Sequence, residues 1–306
     1  MLLRAFAKVN LTLDVFSKRS DGYHGVASVM QAISLHDTLH LTRKTGPGVD
    51  FTCDGPESGG IPTNDENLAV RAAMEAIACL PDTPGGISIH LNKQIPSQAG
   101  LGGGSSDAAA ALVGVNELLD LNLTDQELFR LAARIGSDVP FFLIGGTAVA
   151  RGRGEQVNPF ADVPPMWLVV VKPDENVSTG WAYSELDNTP DRSSNRGTRR
   201  MEQAISENSS ELIVSRTCND FELPVFARYP KLAWLHDELL MAGAMNARLC
   251  GSGSALFGMA SGEADANRIA NTMRSRYAKV YTARTLTRLE SHQFHNLPPA
   301  DAGDEI

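Results

Sequence analysis

The chain has 306 residues, and 42% of them are hydrophobic, which is enough to fill the cores of two globular domains. Its net charge of −9 argues against a broad nucleic-acid-binding surface. The four cysteines form no CxxC pair, so the sequence predicts neither a zinc site nor a disulfide framework; they are Cys53, Cys79, Cys218 and Cys250.

The amino terminus does not have the pattern of a signal peptide. Arg4, Lys8 and Asn10 interrupt its short apolar start, and nowhere does the sequence approach the roughly 18 consecutive apolar residues of a membrane span. Together with four cysteines that we expect to be reduced, this predicts a cytoplasmic protein that does not contact a membrane.

The first half of the chain alternates strands and helices. Residues 5–16 place Val9, Leu11, Leu13 and Val15 on one face, the period of a β-strand. Asn67 is a typical N-cap for the helix that follows it. In all, the pattern predicts strands over 5–16, 26–35, 38–43, 49–53, 87–91 and 147–151, and helices over 67–80, 106–119 and 125–134.

The second half begins after a proline-rich boundary at 159–165. Residues 187–210 are polar, which predicts a mobile surface segment around one short helix. We expect one domain over 1–160, a second over 161–290 and a disordered tail over 291–306. The remaining predicted elements are strands over 167–171 and 279–285 and helices over 230–242 and 264–276.

The stretch PSQAGLGGGSSDAAAAL, residues 96–112, has the composition of a phosphate-binding loop. Glycines let the backbone approach an anion closely, and the first amides of the following helix point toward negative charge. We expect Ser105 or Ser106 to cap the first turn of that helix. The loop and helix therefore predict a nucleotide phosphate site.

Better-known phosphate loops do not fit this stretch. The sequence contains no Gly-Lys pair, which a Walker loop requires, and in a Rossmann fingerprint the third glycine would fall where Ser105 stands. Neither an HRD nor a DFG triplet is present, which excludes the protein-kinase pattern.

Four blocks taken together identify a family. AKVNL at 7–11, the loop itself, GSDVPFF at 136–142 and CGSGSALFG at 250–258 resemble, in order and content, the GHMP kinase superfamily, whose members phosphorylate small-molecule hydroxyls with ATP. The resemblance implies a two-domain α+β fold with the active site in the interdomain cleft. It also implies ATP as co-substrate and an ATP site at Asn67, Pro96, Gly100, Leu101, Gly102, Gly103, Gly104, Ser105, Ser106, Gly251, Ser252 and Gly253.

The same resemblance assigns the catalytic roles. Phosphoryl transfer needs positioning and charge stabilisation, so a kinase must supply a cation and an acceptor for the hydroxyl proton. By resemblance Asp138 receives or orients that proton, and Lys8 steadies the aspartate and the migrating charge. Mg²⁺ is expected with ATP, and Ser106 is the best-placed hydroxyl ligand.

A narrower resemblance points to the acceptor. DGYH at 21–24, with NLAVRAA at 67–73, GTAVARGRGE at 146–155 and NDFE at 219–222, is similar to the superfamily branch of the non-mevalonate isoprenoid pathway. That branch phosphorylates the tertiary 2-hydroxyl of a methylerythritol that carries a cytidine diphosphate.

Cytosine can be selected by an aromatic face and one side chain directed at its edge. The resemblance implies that Tyr23 stacks on the base and His24 bonds its edge, and it places Asn10 beside the acceptor. Thr179 and Tyr183 are expected across the ring, with Trp181 as the alternative aromatic.

Each assignment has a purely structural alternative. Asp138 could be a turn residue before a proline, Lys8 a solvated strand lysine, and His24 a surface histidine. The chain could also be a homoserine- or mevalonate-type kinase, or a silent nucleotide-binding regulator. We expect a small-molecule partner and no nucleic acid, and the choice between monomer and homodimer stays open.

Overall fold

The fold is that of a computed structural model, which describes residues 1–20, 22–79, 85–188 and 196–292. Its strands are β1 (Leu2–Lys18), β2 (His24–Lys44), β3 (Gly48–Asp54), β4 (Gly86–Asn92), β5 (Thr147–Arg151), β6 (Gln156–Pro159), β7 (Trp167–Lys172), β8 (Cys218–Asn219), β9 (Asn246–Leu249), β10 (Leu256–Ala260) and β11 (Lys279–Arg284). Its helices are α1 (Leu68–Ala78), α2 (Gly103–Leu118), α3 (Asp125–Ile135), α4 (Val139–Ile144), α5 (Thr179–Leu186), α6 (Gly197–Ser206), α7 (Ser210–Arg216), α8 (Glu222–Arg228), α9 (Pro230–Met241), α10 (Glu263–Arg274) and α11 (Arg288–Ser291).

These elements form the mixed α+β architecture that the sequence predicts, with two sheets. The first has the order β3-β4-β2-β1-β8, with β5 and β6 branching from β2, and the second has the order β11-β7-β10-β9. Every strand before residue 160 lies in the first sheet, and every later strand except β8 lies in the second. The domain limits at 160 and 290 stay a prediction.

The central pair of the first sheet differs from the prediction in one respect. Residues 26–35 and 38–43 were expected to be two strands, but β2 continues through both. Its pairing with β1 shifts register between Phe6 and Ala7, between Asn10 and Thr12 and between Val15 and Lys18, as at β-bulges.

Helix α2 covers the first sheet with very small side chains. Residues 108–111 are all alanine and fully buried, and a Cβ on Gly114 would lie 2.8 Å from Leu3 and Leu41. The helix begins earlier than predicted: its N-cap is Gly102, with φ of 73° and no side-chain cap. The expectation that Ser105 or Ser106 caps the first turn is therefore wrong, because both lie inside the helix.

The segment 187–210 also needs a correction. The predicted short helix exists as α6 and lies at the surface, but one face of it belongs to the core, because Met201 and Ala204 are fully buried among residues that include Leu11 and Val29. An amphipathic helix of ten residues thus fills the space against β1. Residues 189–195 lie outside the described residues.

Most other elements are confirmed, with ends that differ by one or two residues. These are the strands predicted at 49–53, 87–91, 147–151, 167–171 and 279–285 and the helices at 125–134, 230–242 and 264–276. The tail predicted over 291–306 lies outside the described residues from 293 onward. Within the described ranges, no helix has the length and apolarity to cross a membrane.

Candidate active site

A cleft of about 880 Å³ gathers predicted site residues from both halves of the chain. Its walls include Lys8, Asn10, Tyr23, His24, Gly100, Gly102, Ser105, Asp138, Thr179, Tyr183, Gly251 and Ser252. A second cavity of about 830 Å³, lined by the C-terminal half of α2 and by α3 near Val113 and Phe129, contains none of them. Twelve of the nineteen predicted site residues therefore line this cleft.

Lys8 and Asp138 face each other in this cleft. Lys8 Nζ lies 3.7 Å from Asp138 Oδ2, and the lysine side chain is only 5% exposed while the aspartate is 39% exposed. Asp138 is the N-cap residue of α4, yet its side chain makes no cap hydrogen bond. Lys8 is therefore not a solvated strand lysine, whereas Asp138 is a turn residue two positions before Pro140 whose carboxylate also faces a cation.

A chain of hydrogen bonds fixes the position of the lysine. Lys8 Nζ donates to Asn10 Oδ1 at 2.8 Å, and Asn10 Nδ2 donates to Ser28 Oγ at 2.8 Å. Ser28 Oγ donates in turn to the carbonyl oxygen of Thr12 at 2.6 Å. Each polar atom in this buried series has a partner, so the ammonium is held toward the cleft in one geometry.

The two glycine turns touch. Gly100 has φ of 76°, and a Cβ built on it would lie 1.8 Å from the carbonyl oxygen of Cys250. The backbone of Lys8 donates to Leu101 O at 2.9 Å, which joins the phosphate loop to β1. Only glycine permits this approach between the loop and the turn at 250–253.

Seven predicted nucleotide residues do not line the cleft: Asn67, Pro96, Leu101, Gly103, Gly104, Ser106 and Gly253. Asn67 uses its side chain as a cap, accepting from Ala69 N and donating to Pro62 O, both at 2.9 Å. Ser106 is buried, and among the described residues its Oγ has no hydrogen-bond partner. Nucleotide and metal contacts of these residues stay predictions.

His24 is a buried histidine of the cleft and not a surface residue. It is 8% exposed, and its Nε2 lies 2.8 Å from Asp187 Oδ1. Its ring stacks on that of Tyr183, with centroids 5.3 Å apart and planes at 28°. Sequence reasoning missed Asp187, because it lies 163 residues away in a polar segment with no motif.

The aromatic residues around His24 differ in their surroundings. Burial, together with the charge of Asp138, raises the pKa of Tyr183 to about 12, so this phenol stays protonated. Trp181 packs against Tyr229 and does not line the cleft. Tyr23 is 57% exposed, with the guanidinium of Arg153 5.0 Å from its ring centroid. The cleft therefore presents Tyr183, not Trp181.

A buried ionic cluster, also missed by sequence reasoning, includes Asp107, the fifth residue of α2. Lys93 Nζ donates to Asp37 Oδ2 and, at 2.7 Å, to Asp107 Oδ2. Burial raises the pKa of Asp107, against the opposing effect of Lys93. Burial acts to lower the pKa of Lys93, but the two carboxylates outweigh it and the net direction is upward. One cation thus contacts two buried acidic side chains.

Comparison with known proteins identifies the family. Residues 67–146 match the GHMP kinases N terminal domain, and residues 198–279 match the GHMP kinases C terminal domain. A 4-diphosphocytidyl-2-C-methyl-D-erythritol kinase of Geobacter sulfurreducens is 41% identical, over 94% of this chain and 99% of the relative. The chain belongs to the 4-diphosphocytidyl-2-C-methyl-D-erythritol kinase family, within the GHMP kinases. A family member from Moorella thermoacetica is also 41% identical, with the same coverage of both chains.

Solved structures agree with this family assignment. A crystal structure of 4-(cytidine 5'-diphospho)-2C-methyl-D-erythritol kinase aligns with a TM-score of 0.78 at 35% identity, over 93% of this chain and 99% of that chain. A homoserine kinase from Cytophaga hutchinsonii aligns with a TM-score of 0.74 at 19% identity, over 94% and 95%. At that identity the second likeness shows the GHMP kinase fold alone. The first agrees with membership of the 4-diphosphocytidyl-2-C-methyl-D-erythritol kinase family.

Proposed function

We propose that the chain transfers the terminal phosphoryl group of ATP to the 2-hydroxyl of 4-diphosphocytidyl-2-C-methyl-D-erythritol. The observation that carries this proposal is the pairing of Lys8 with Asp138 in a cleft that the first glycine turn also lines. Full-length identity of 41% to kinases that bear this substrate in their name supports the choice of acceptor.

Asp138 and Lys8 divide the chemistry between them. As the oxygen of the acceptor attacks phosphorus, its proton passes to the Asp138 carboxylate, which is partly exposed to the cleft. The buried ammonium of Lys8 stabilises negative charge that spreads over the transferred group. The amides at the start of α2 hold the phosphates in line with the acceptor.

Ser106 is the residue that fits a magnesium ion. Its buried oxygen has no hydrogen-bond partner among the described residues, and magnesium prefers oxygen ligands. Bound Mg²⁺ would neutralise charge on the ATP phosphates. The residues proposed to bind the acceptor, Asn10, Tyr23, His24, Thr179 and Tyr183, all line the cleft.

The test is ADP release with ATP and Mg²⁺ and four acceptors compared: the cytidylyl compound, methylerythritol phosphate, homoserine and mevalonate. We expect turnover with the cytidylyl compound alone. Turnover with homoserine or mevalonate would indicate another GHMP kinase, and ATP binding without any turnover would indicate a silent regulator.

The Asp138→Asn variant tests the mechanism. It should unfold at the same denaturant concentration as the wild type and lose about 10²- to 10⁴-fold in kcat, because a positioned base contributes that factor. A variant that keeps more than about a tenth of the activity would remove Asp138 as the base.

The cytoplasmic location of the protein and its assembly state, monomer or homodimer, remain predictions.

A further inference from the structure

We propose that Asp187 determines the preference for cytosine by fixing the tautomer of His24. Asp187 would be a positioning residue: it would not replace His24 as the group that reads the base, but would decide which ring nitrogen of His24 donates and which accepts. This inference rests on the proposed function, in which His24 faces the edge of the base.

The first step of the argument is the direction of the bond between the two side chains. The Nε2 of His24 lies 2.8 Å from Oδ1 of Asp187. A carboxylate can only accept a hydrogen bond, so Nε2 carries the proton. Lys18 Nζ lies 4.0 Å from the other carboxylate oxygen.

The second step concerns the other ring nitrogen. In a neutral imidazole with its proton on Nε2, Nδ1 is an acceptor. Within the described part of the chain Nδ1 of His24 has no hydrogen-bond partner. His24 and Asp187 both line the cleft, so Nδ1 is the polar atom of the ring that remains for a ligand.

The third step is the geometry of the ring. His24 is stacked on Tyr183 with planes at 28°, and Tyr183 in turn meets Phe221 edge-on with centroids 4.9 Å apart. Together with the bond to Asp187, this stacking fixes the plane of the imidazole and leaves it one orientation. The lone pair of Nδ1 then points in a fixed direction.

A fixed lone pair distinguishes cytosine from uracil. Cytosine carries an amino group at position 4, which can donate to Nδ1, whereas uracil carries a carbonyl oxygen there. An acceptor facing that carbonyl leaves two lone pairs opposed and no hydrogen bond. Sites that hydrogen-bond one substrate group reject analogues that lack it strongly, because the buried polar atom of the protein is left unpaired.

The experiment compares the 4-diphosphocytidyl substrate with its uridylyl analogue in the ADP-release assay. We expect the wild type to prefer the cytidylyl compound by at least about 100-fold in kcat/KM. In Asp187→Ala, Nδ1 can carry the proton and donate to uracil, so the preference should fall at least about tenfold while the KM for ATP stays unchanged.

Two further variants separate tautomer control from a structural role. Asp187→Asn keeps an oxygen that can accept from Nε2, and we expect it to restore most of the preference. In a His24→Ala background, Asp187→Ala should not change the preference further, because it acts through His24. Asp237→Ala is the matched control, since Asp237 Oδ1 contacts His236 Nδ1 at 3.0 Å on the surface.

The outcomes distinguish this proposal from the function on which it rests. A wild type that turns over neither compound overturns both. A wild type that prefers the cytidylyl compound, with the same preference in Asp187→Ala, overturns the role of Asp187 alone. An equal rise in the KM for ATP and for the cytidylyl substrate in Asp187→Ala would show a structural residue and would also refute the proposal.

Discussion

Gly100→Ala should strongly destabilise the contact between the phosphate loop and the turn at 250–253. The added Cβ would lie 1.8 Å from Cys250 O, where real Cβ contacts are essentially never shorter than 3.0 Å, so the two backbones must separate by more than an ångström. A left-handed φ of 76° costs an alanine about 1–2 kcal/mol, and overpacking costs about 1–3 kcal/mol. The expected loss of stability is therefore about 2–5 kcal/mol.

Gly104→Ala is the matched control for this measurement. Gly104 lies four residues after Gly100, inside helix α2. A Cβ built on it would meet nothing nearer than Leu68 Cδ1 at 3.7 Å. Alanine is favoured over glycine there by up to about 1 kcal/mol.

Equilibrium unfolding in urea gives the free energies of both variants. Gly100→Ala should lower the midpoint at constant slope, and Gly104→Ala should leave it unchanged or raise it. In the ADP-release assay Gly100→Ala should also lose kcat/KM, because the loop is displaced. Equal stability of the two variants would refute the reasoning from the close approach.

Three further predictions concern charged groups. Lys93→Met leaves the acidic side chains of Asp37 and Asp107 buried without their cation, and we expect a loss of about 3–5 kcal/mol in urea unfolding; wild-type stability would contradict this prediction. Because folding raises the pKa of Asp107, the folded state holds the extra proton, so wild-type stability should fall relative to Asp107→Asn as pH rises above about 4. If the stabilities of those two proteins changed in parallel with pH, a raised pKa of Asp107 would be excluded. The hydrogen bond from Arg284 lowers the pKa of Glu290 to about 2. Any extra stability of the wild type over Glu290→Gln should therefore be present above pH 4.5, the pKa of the group in the unfolded chain, and should disappear as pH falls toward 2. Thermal unfolding of both proteins at several pH values measures this difference.

Elements with local signals were predictable from the sequence. Helix α3 begins at Thr124 with a capping box to Glu127, a pattern that can be read directly, and the predicted start at Asp125 is confirmed. The start of α2 was not predicted correctly, because serines are the usual caps, whereas Gly102 takes that role here through its left-handed backbone. A preference for one residue type cannot reveal a conformation that a tight turn imposes.

The interruption predicted in β2 has a tertiary explanation. Polar residues near Asp37 break the alternation of the strand, which favours a turn there. In the fold, Asp37 Oδ1 accepts from the backbone of Gln94 and Ile95, and Oδ2 accepts from Lys93. The strand continues because partners more than 50 residues away satisfy the carboxylate, and a single sequence contains no signal for that.

The site shows the same division between what is local and what is not. The phosphate loop is continuous, so its composition alone predicted an anion site. Lys8 and Asp138 lie 130 positions apart, and only the family resemblance predicted that they act together. In the structure β1 and the start of α4 place the two side chains 3.7 Å apart in one cleft. Asp187 belongs to no block of the resemblance, although its carboxylate contacts His24, a residue the motif DGYH supplied. Motifs thus indicate the groups that touch a substrate, whereas the groups that set the protonation of those side chains emerge only when the chain is folded.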